Sequence, residues 1–379
     1  MKIGVIKETK EFEKRVALSP DVVKLLKKKE FEVIIESGAG EGSYFSDQDF
    51  RDAGAEVSDL SGVFSSDVIL KVNIPSLEEI AQMKQGSACI SYMYAYQHPE
   101  IIEALNKKSI SSFSMDAVPR ISRAQKMDAL SSQANLAGYK SVILGANYLG
   151  KIFPLMMTAS GTITPAKVLI FGAGVAGLQA VATAKRLGAI VEVSDVRPET
   201  KEQVESLGGR FLTVEGAEAV KIEGGYAKEV SAEFLEKQQK LIQDKIKDAD
   251  LVITTALVMG RKSPILVTEE MVKSMKTGSV IVDMAVESGG NCAISEKDKT
   301  VVKYGVTLVG ESNLPSLLPV NASQLYATNI STLFLHLFNS FGLIPNLEEE
   351  ITKGVLITHE GQLVHEFTKN ILNSHPKNS

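Results

Sequence analysis

Short apolar runs alternate with amphipathic helical patterns from residue 1 to about residue 117. This alternation is typical of βαβ units, in which helices connect the strands of a mostly parallel sheet. Two helix starts can be recognised, because Pro20 follows Ser19 at the first helical position and Ser76 forms a capping box with Glu79. The pattern predicts strands at residues 2–6, 32–36, 68–72, 88–93 and 110–113.

A long helical pattern follows over residues 122–153, and its length predicts a bridge to a second domain and a candidate hinge. Between residues 211 and 250 the pattern lapses into a polar stretch that contains Gly224, Gly225 and Tyr226. Long loops inside compact domains are usually functional or disordered. Tyr226 is therefore either a lid residue that closes over a ligand or an exposed aromatic in a flexible segment. Further strands are predicted at residues 251–255, 279–284 and 307–310.

The C-terminal region is predicted to return to the first domain. Residues 322–338 have the pattern of a helix too apolar to be left in solvent, and a hairpin is predicted around Glu360 and Gly361. The predicted fold class is α/β, with two Rossmann-like doubly wound domains of mostly parallel sheets, joined by long helices with a cleft between them. The first domain is assigned residues 1–125 and 320–379, and the second residues 126–319.

Residues 167–195 combine an apolar strand, a glycine turn, a helix and a second strand that ends at Asp195. Gly172, Gly174 and Gly177 have the G-x-G-x-x-G spacing, in which the glycines permit a tight turn, close approach to a pyrophosphate and close helix packing. The helix N-terminus offers free N–H groups to the anion. Asp195 is placed to accept hydrogen bonds from an adenosine ribose and to repel a 2′-phosphate, which favours NAD over NADP.

Composition excludes several classes of protein. The net charge of −5 over 379 residues provides no basic field for nucleic acid or an anionic membrane. No apolar run reaches the roughly 20 residues of a membrane span, and the N-terminus lacks an export signal, so a cytoplasmic protein is expected. Only Cys89 and Cys292 are present, and the five histidines lack metal-ligand spacing, so neither a disulfide framework nor a metal site is expected.

A polar cluster at the start of the bridging helix is the candidate for the nicotinamide end of a cofactor. It comprises Arg120, Arg123, Gln125, Asp128 and Ser131. Arg and Gln donate to a carboxamide oxygen, whereas Asp and Ser accept from its nitrogen. The alternative is a solvated helix start, where charged and polar residues are common.

The first domain also offers two isolated cations, Arg15 and Lys71, which could meet a carboxylate substrate. The alternative for them is a surface arginine and a solvated lysine. Glu287, which follows the strand predicted at residues 279–284, either orients a substrate or caps a turn beside two glycines.

These segments together resemble the NAD(H)-binding subunit, domain I, of proton-translocating nicotinamide nucleotide transhydrogenases. The likeness covers nearly the whole chain and runs through RVALSP, PRISRAQKMDALSSQANLAGY, FGAGVAGLQA, TKEQVESLGG, GGYAKE and GSVIVDMAVESGGNC. The stretch from Arg120 to Tyr139 is the most specific part. The related alanine dehydrogenases share the glycine fingerprint and a DMAVESGG-like turn but not this stretch.

The resemblance implies roles for individual residues. The positions that match the family's nicotinamide contacts, assigned here as catalytic, are Arg120, Gln125, Asp128 and Ser131. The positions that match its other cofactor contacts are Gly172, Gly174, Val175 and Gly177 in the pyrophosphate turn, Asp195 as the adenosine ribose acceptor, and Tyr226 in a mobile loop.

The implied activity is direct hydride transfer between C4 of NADH bound to this chain and C4 of NADP⁺ bound to a partner subunit. The resemblance implies coupling to proton translocation by membrane-spanning subunits. The chain has a single glycine fingerprint, so it is expected to need an NADP-binding beta subunit and to be peripheral to the inner membrane through its partners. A homodimer is also expected, with the apolar C-terminal helix and hairpin as its interface.

The alternative function is that of a soluble NAD-dependent alanine or keto-acid dehydrogenase. Arg15, Lys71 and Glu287 match positions of the alanine dehydrogenase substrate site. Those enzymes use a histidine where this chain has Tyr94, and a phenol with an ordinary pKa of about 10 is a poor proton acceptor near neutrality. A non-catalytic NAD-binding regulatory protein is a third hypothesis, disfavoured because a mere sensor need not present the nicotinamide edge.

Overall fold

The β-branched and apolar runs of the sequence form the strands of two large sheets, and the amphipathic segments form helices. The computed structural model describes residues 1–213, 221–223, 226–229, 232–257, 262–344 and 346–374; the side chains of 221–223, 226–229, 232, 234 and 235 lie outside this description. The chain divides into unit 1, Met1–Gln133 with Ser316–Ser379, and unit 2, Ala134–Pro315. The sequence-based divisions at residues 125 and 320 differ slightly from these.

Both units contain strands and helices. The strands are β1 Lys2–Val5, β2 Glu32–Glu36, β3 Glu56–Ser58, β4 Val68–Leu70, β5 Ala88–Ser91, β6 Ser111–Ser114, β7 Met156–Thr158, β8 Gly161–Ile163, β9 Lys167–Phe171, β10 Ile190–Ser194, β11 Arg210–Phe211, β12 Lys221–Glu223, β13 Tyr226–Glu229, β14 Leu251–Thr254, β15 Val280–Asp283, β16 Thr300–Lys303, β17 Val306–Val309, β18 Phe338–Asn339, β19 Gly342–Leu343, β20 Leu356–His359 and β21 Gln362–Leu363. The helices are α1 Pro20–Lys28, α2 Asp47–Asp52, α3 Leu60–Phe64, α4 Leu77–Gln82, α5 Pro99–Lys107, α6 Ala129–Tyr148, α7 Val175–Arg186, α8 Lys201–Ser206, α9 Ala232–Ile246, α10 Glu269–Ser274, α11 Pro319–Leu337, α12 Glu350–Val355 and α13 Glu366–Ser374.

Unit 1 contains an eight-stranded sheet in the order β21-β20-β6-β5-β4-β1-β2-β3. Strands β1 to β6 pair in parallel, whereas β20 and β21 form an antiparallel edge. The parallel strands therefore follow the order third, second, first, fourth, fifth, sixth, which is the doubly wound order. In such sheets ligands bind beyond the carboxyl ends of the strands where the order reverses, here at β1 and β4.

Helix α11 is buried in unit 1, as its apolar sequence predicts. Tyr326 and Phe334 lie in the same hydrophobic cluster as Ile3 of β1. The predicted hairpin is formed by β20 and β21, with positive φ angles at Glu360 and Gly361. The C-terminal region thus returns to the first domain. Many of these apolar side chains pack inside unit 1, and a dimer interface at this helix and hairpin stays a prediction.

Unit 2 contains a seven-stranded sheet in the order β11-β10-β9-β14-β15-β17-β16. Among the described strands of this sheet, only β16 is antiparallel to its neighbour. Its six parallel strands follow the same order as those of unit 1, with the reversal between β9 and β14. The predicted fold class, two Rossmann-like α/β domains with mostly parallel sheets, is confirmed.

The structure departs from the predicted elements in the bridging segment. Ser122–Met127 is a 3₁₀ helix, and α6 begins only at Ala129, after Asp128, and ends at Tyr148. The sequence pattern also missed β3, β16 and the hairpin of β7 and β8, none of which contains a buried residue, so no buried apolar run marks them. Among the residues that the structure describes, no helix is long and apolar enough to cross a membrane.

Candidate functional site

The turn between β9 and α7 has the geometry that its glycine spacing predicts. Gly172 has a φ of +99°, in the left-handed region that favours glycine, and its amide donates to the carbonyl of Ser194 at 2.9 Å. A Cβ at Gly177 would collide with the carbonyl oxygen of Gly172, so the start of α7 and the end of β9 require a glycine there. Packing within the unit therefore dictates the first and third glycines.

Gly174 differs from the other two glycines because no described residue crowds it. Within the described part of the chain, the nearest atom to a Cβ at this position would be Nη2 of Arg197, 4.0 Å away. Val175 begins α7, and the first N–H groups of a helix have no acceptor within the helix. An open glycine followed by free N–H groups is the arrangement through which a backbone approaches a diphosphate.

Asp195 lies directly after β10, where the sequence predicts a ribose acceptor. Its carboxylate accepts a hydrogen bond from the amide of Ala173 in the glycine turn at 2.6 Å. It also accepts bonds from the backbone and the guanidinium of Arg197, at 2.8 to 2.9 Å. Sequence reasoning missed Arg197, although an arginine two residues after the acidic position was a readable signal.

The polar stretch after β11 contains Tyr226, the remaining predicted cofactor contact. Tyr226 begins β13, which pairs antiparallel with β12. The side chain of Tyr226 lies outside the described residues, as do Gly224 and Gly225 entirely, so the lid role remains a prediction. The same stretch includes helix α9, which the sequence pattern did not predict.

The predicted nicotinamide segment lies in unit 1. Arg120 and Gln125 are exposed. Asp128 caps α6, since its carboxylate accepts bonds from the amide of Ser131 at 2.9 Å and from the Ser131 hydroxyl at 2.5 Å. The cap fixes the positions of Asp128 and Ser131, while Gln125 projects from the 3₁₀ helix.

Arg123 belongs to the same segment but is tied to another element. Its guanidinium lies 3.0 Å from Glu349 and 3.4 Å from Glu350 at the start of α12. Burial opposes ionisation of Glu349, but the backbone amide of Thr352 and the ring of His336 outweigh it and lower its pKa to about 2. Arg123 therefore anchors the segment to α12.

A hydrogen-bond network holds the start of α6 in place. Ser132 donates to Asn329 of α11 at 2.7 Å, and Asn329 donates to the carbonyl of Lys126 at 2.8 Å. Gln133 donates to the carbonyl of Ala322 at 3.1 Å and accepts from Arg15 at 3.0 Å. Helix α11 thus positions the segment that carries Gln125, Asp128 and Ser131.

Arg15 and Lys71 are neither isolated nor solvated, so the alternative of a surface arginine and a solvated lysine was wrong, while contact with a carboxylate substrate stays a prediction. Arg15 is 7% exposed and forms a two-pronged pair with Glu13, whose side chain is fully buried. Lys71 is 2% exposed and lies 2.7 Å from Glu79 and 3.9 Å from Glu8. Only the contact of Lys71 with Glu8 joins distant parts of the sequence, whereas Glu13 lies two residues before Arg15 and was a readable signal.

The two carboxylates of this cluster titrate in opposite directions. Burial opposes the charge of Glu13, but the guanidinium of Arg15 outweighs it and lowers the pKa of Glu13 to about 2. Burial dominates at Glu8 and raises its pKa despite the charge of Lys71 and the amide of Asn73. Burial therefore prevails at Glu8, whereas the bonded guanidinium of Arg15 prevails at Glu13.

Comparison with protein families now places the chain. The description "Alanine dehydrogenase/PNT, N-terminal domain" matches residues 4–137, and "Alanine dehydrogenase/PNT, C-terminal domain" matches residues 141–366. The chain belongs to this family.

Individual relatives refine the placement within the alanine dehydrogenase/PNT family. The chain is 48% identical over 376 residues to the first part of NAD(P) transhydrogenase subunit alpha of Rhodospirillum rubrum, in an alignment that covers 96% of this chain and 98% of that protein. It is 33% identical over 343 residues to alanine dehydrogenase 2 of Staphylococcus aureus, with 88% and 86% covered. The solved structure of transhydrogenase from Sinorhizobium meliloti superposes with a TM-score of 0.89 at 44% identity, covering 96% of this chain and all of that chain. The resemblance to transhydrogenases is confirmed.

Tyr94 is the residue predicted to stand where alanine dehydrogenases use a histidine. It has a φ of +41° and is 37% exposed. Its amide donates to Asp116 at 3.1 Å, and its ring stacks on Tyr92 with centroids 5.9 Å apart. The half-buried Asp116 and the ring of Tyr92 thus hold Tyr94 in place.

The DMAVESGG turn of the family is organised by Asp283, which sequence reasoning missed. Asp283 is fully buried, and its carboxylate accepts bonds from the amide of Asn291 and the hydroxyl of Thr254, each at 3.0 Å. Glu287 is half exposed and lies 3.6 Å from Lys297. The buried acid at the end of β15 therefore shapes the turn, while Glu287 lies on its surface.

Proposed function

We propose that this chain is the NAD(H)-binding component of a proton-translocating NAD(P) transhydrogenase. The observation that carries the proposal is the open face of Gly174 in a turn whose other glycines are required by packing. A position left open beside free helix N–H groups fits a dinucleotide better than an ordinary turn. The acidic Asp195 after β10 favours NAD, and the full-length similarity to a transhydrogenase alpha subunit supports the reaction class.

For the nicotinamide we propose contacts to Arg120, Gln125, Asp128 and Ser131. When bound, NADH supplies a hydride from C4 of its ring, and NADP⁺ on a partner subunit accepts it. The chain's own residues need no acid or base for this step and act by holding the ring in one orientation. The hydrogen bonds between Asp128 and Ser131 fix the Asp128 carboxylate and the Ser131 hydroxyl before a ligand binds. Binding therefore costs little conformational entropy at these two side chains.

The proposed partners are an NADP-binding beta subunit and a membrane-spanning subunit, through which the chain would be peripheral to the inner membrane. Residues 1–379 contain one G-x-G-x-x-G motif, which accounts for one dinucleotide, and the proposal assigns the second dinucleotide to the beta subunit. The relative from Rhodospirillum rubrum is named as one part of an alpha subunit, which supports an assembly of several chains.

We also propose a homodimer, with the hairpin of β7 and β8 as a contact in addition to the predicted C-terminal helix and hairpin. Every residue of these two strands is exposed. Met157 is 78% exposed, and Leu155, Met156 and Ile163 are each more than 40% exposed. Apolar side chains on a protruding two-stranded hairpin are stabilised by a second copy, because an isolated hairpin is marginal in water.

The test is reconstitution with an NADP-binding transhydrogenase domain. We expect the isolated chain to bind NADH, followed by nucleotide fluorescence, and to leave an NADP⁺ analogue unreduced. Adding the NADP-binding domain should start hydride transfer, followed by absorbance of the reduced analogue. Full activity of the isolated chain would contradict the proposal, as would NADH binding without transfer in the mixture.

The alternative function is an NAD-dependent alanine or keto-acid dehydrogenase. The buried Arg15 and the 33% identity to alanine dehydrogenase 2 favour it. Against it, Glu13 already takes the guanidinium of Arg15 in two bonds, and Tyr94 replaces the histidine. Turnover of alanine with NAD⁺, or of pyruvate and ammonium with NADH, would favour the dehydrogenase and overturn the transhydrogenase assignment.

A further inference from the structure

The carboxylate of Asp195 is fully engaged by groups of the chain itself. Oδ2 accepts from the amide of Ala173 at 2.6 Å and from Nη2 of Arg197 at 2.8 Å. Oδ1 accepts from the amide of Arg197 at 2.8 Å and from its Nε at 2.9 Å. A carboxylate offers about four acceptor positions, and all four are taken. A ribose diol can therefore bind Asp195 only by displacing one of these donors.

The side chain of Arg197 is the displaceable donor among them. Ala173 belongs to the glycine turn, and the carbonyl of Arg197 accepts bonds from the amide and hydroxyl of Thr200, so both backbones are anchored. The guanidinium is carried on a rotatable stem, and the Arg197 side chain is 19% exposed against 5% for Asp195. Nη2 lies 4.0 Å from the point where a Cβ of Gly174 would be, directly beside the open face of the turn.

We propose that Arg197 occupies the adenosine ribose acceptor when no cofactor is bound, and that a cofactor's ribose displaces its guanidinium toward the phosphates. This inference rests on the proposed NAD(H) site. Arg197 thereby becomes a specificity-determining residue, because it sets how much negative charge Asp195 presents to the 2′ position. The guanidinium of Arg197 can donate two N–H groups to the carboxylate of Asp195 before the cofactor binds, and to a phosphate of the cofactor afterwards.

The charge of Arg197 has opposite consequences for the two cofactors. NADH places a 2′-hydroxyl near Asp195, which donates to the carboxylate once the guanidinium has moved. NADPH places a 2′-phosphate there, which Asp195 repels and a nearby arginine accommodates. Arg197 thus weakens the preference for NADH that Asp195 alone would impose. Removing the cation while keeping Asp195 should sharpen that preference.

The test compares Arg197→Gln with the wild-type chain in titrations of NADH and NADPH. We expect the ratio of the NADPH to the NADH dissociation constant to rise about tenfold, since a unit charge is removed close to the 2′ group. Arg197→Lys keeps the charge without the fork and should leave the ratio near that of the wild type. Arg210→Gln is the matched control, because Arg210 is exposed and pairs with Glu192 at 3.5 Å on the same sheet.

A direct readout of the displacement comes from the Nε–H NMR signal of Arg197, assigned by its loss in Arg197→Gln. We expect this signal to shift when NADH is added to the wild-type chain. An unmoved signal at saturating NADH, or an unchanged affinity ratio in a variant that melts like the wild type, would overturn the inference. Failure of the wild-type chain to bind NADH at all would overturn the proposed function instead, so the two failures are distinguishable.

Discussion

The parallel strands of the two sheets follow the same order, yet the loops at the points where the order reverses differ in composition. In unit 2 the loop after β9 is a glycine turn, and the hydroxyl of Thr255 after β14 fastens it by donating to the carbonyl of Phe171 at 3.0 Å. In unit 1 the loop after β1 carries Glu8, whose carboxylate accepts from the amide of Val72 after β4 at 2.6 Å. The strand order predicts a site in both units, and the turn of unit 2 combines open glycine backbone with the N-terminus of a helix, α7.

The difference also extends to charge. Unit 1 places Arg15 and Lys71 at its reversal point and pairs each with a carboxylate of the chain. Unit 2 places Asp195 there and pairs it with Arg197, on a side chain that is partly exposed. A pair buried on both sides stabilises the fold, whereas a pair with an exposed partner can exchange for a ligand. The following predictions test this contrast.

Lys71→Met should have the largest effect on stability. The substitution leaves Glu8 and Glu79 without their buried cation, and breaking a buried ion pair from one side costs about 3–5 kcal/mol. The measurement is the free energy of unfolding in urea at pH 7. Lys84→Met is the control, because the pair of Lys84 with Asp67 is solvent-exposed and such pairs contribute roughly 1 kcal/mol or less. Equal losses in the two variants would show that the unit 1 cluster does not behave as a buried one.

Acid should weaken unit 1 through Glu13. A carboxylate whose pKa is lowered to about 2 on folding adds stability that is present above the unfolded pKa and is lost as the pH falls toward 2. By linkage the loss is up to about 3 kcal/mol. Urea unfolding between pH 6 and pH 3 should show about 2 kcal/mol of this loss, the rest falling below pH 3, and Glu13→Gln should flatten the profile in this window. Glu349 has a pKa lowered to about 2 as well, so Glu349→Gln must be run beside it to separate the two contributions.

The glycine turn and Asp195 were predictable from the sequence, whereas the bonds that occupy Asp195 were not. The turn, its helix and the acidic strand end lie within one short stretch, and each has a local signature. The contact of Arg15 with Gln133 and the network from Gln133 to α11 depend on packing between distant segments. Asp128 could not be interpreted from the sequence alone, because an aspartate at the start of a helix is expected both for a helix cap and for the proposed ligand contact.

Gly177→Ala and Gly174→Ala should separate the structural glycine from the binding one. The Cβ at Gly177 would meet the backbone of Gly172, which cannot move aside cheaply, so a loss of about 1–3 kcal/mol in unfolding free energy is expected. Gly174→Ala has open space, and its stability should stay within about 0.5 kcal/mol of the wild type. Its dissociation constant for NADH should rise about tenfold, because the methyl group stands where a diphosphate must approach. Unchanged affinity in Gly174→Ala would remove the main support for a dinucleotide at this turn.

Gln125→Ala should leave stability almost untouched and still reduce the reaction. Gln125 is exposed on the 3₁₀ helix, and exposed substitutions of this kind usually change the unfolding free energy by less than about 0.5 kcal/mol. If its amide orients the nicotinamide, hydride transfer in the reconstituted complex should fall about tenfold while NADH affinity changes little, because orientation is lost and binding is not. Ser122→Ala, an exposed change on the same 3₁₀ helix, is the control and should retain wild-type transfer. Equal losses of NADH affinity and of hydride transfer would make Gln125 an ordinary binding residue. Orientation of the nicotinamide would then have to be assigned to Asp128 and Ser131 alone.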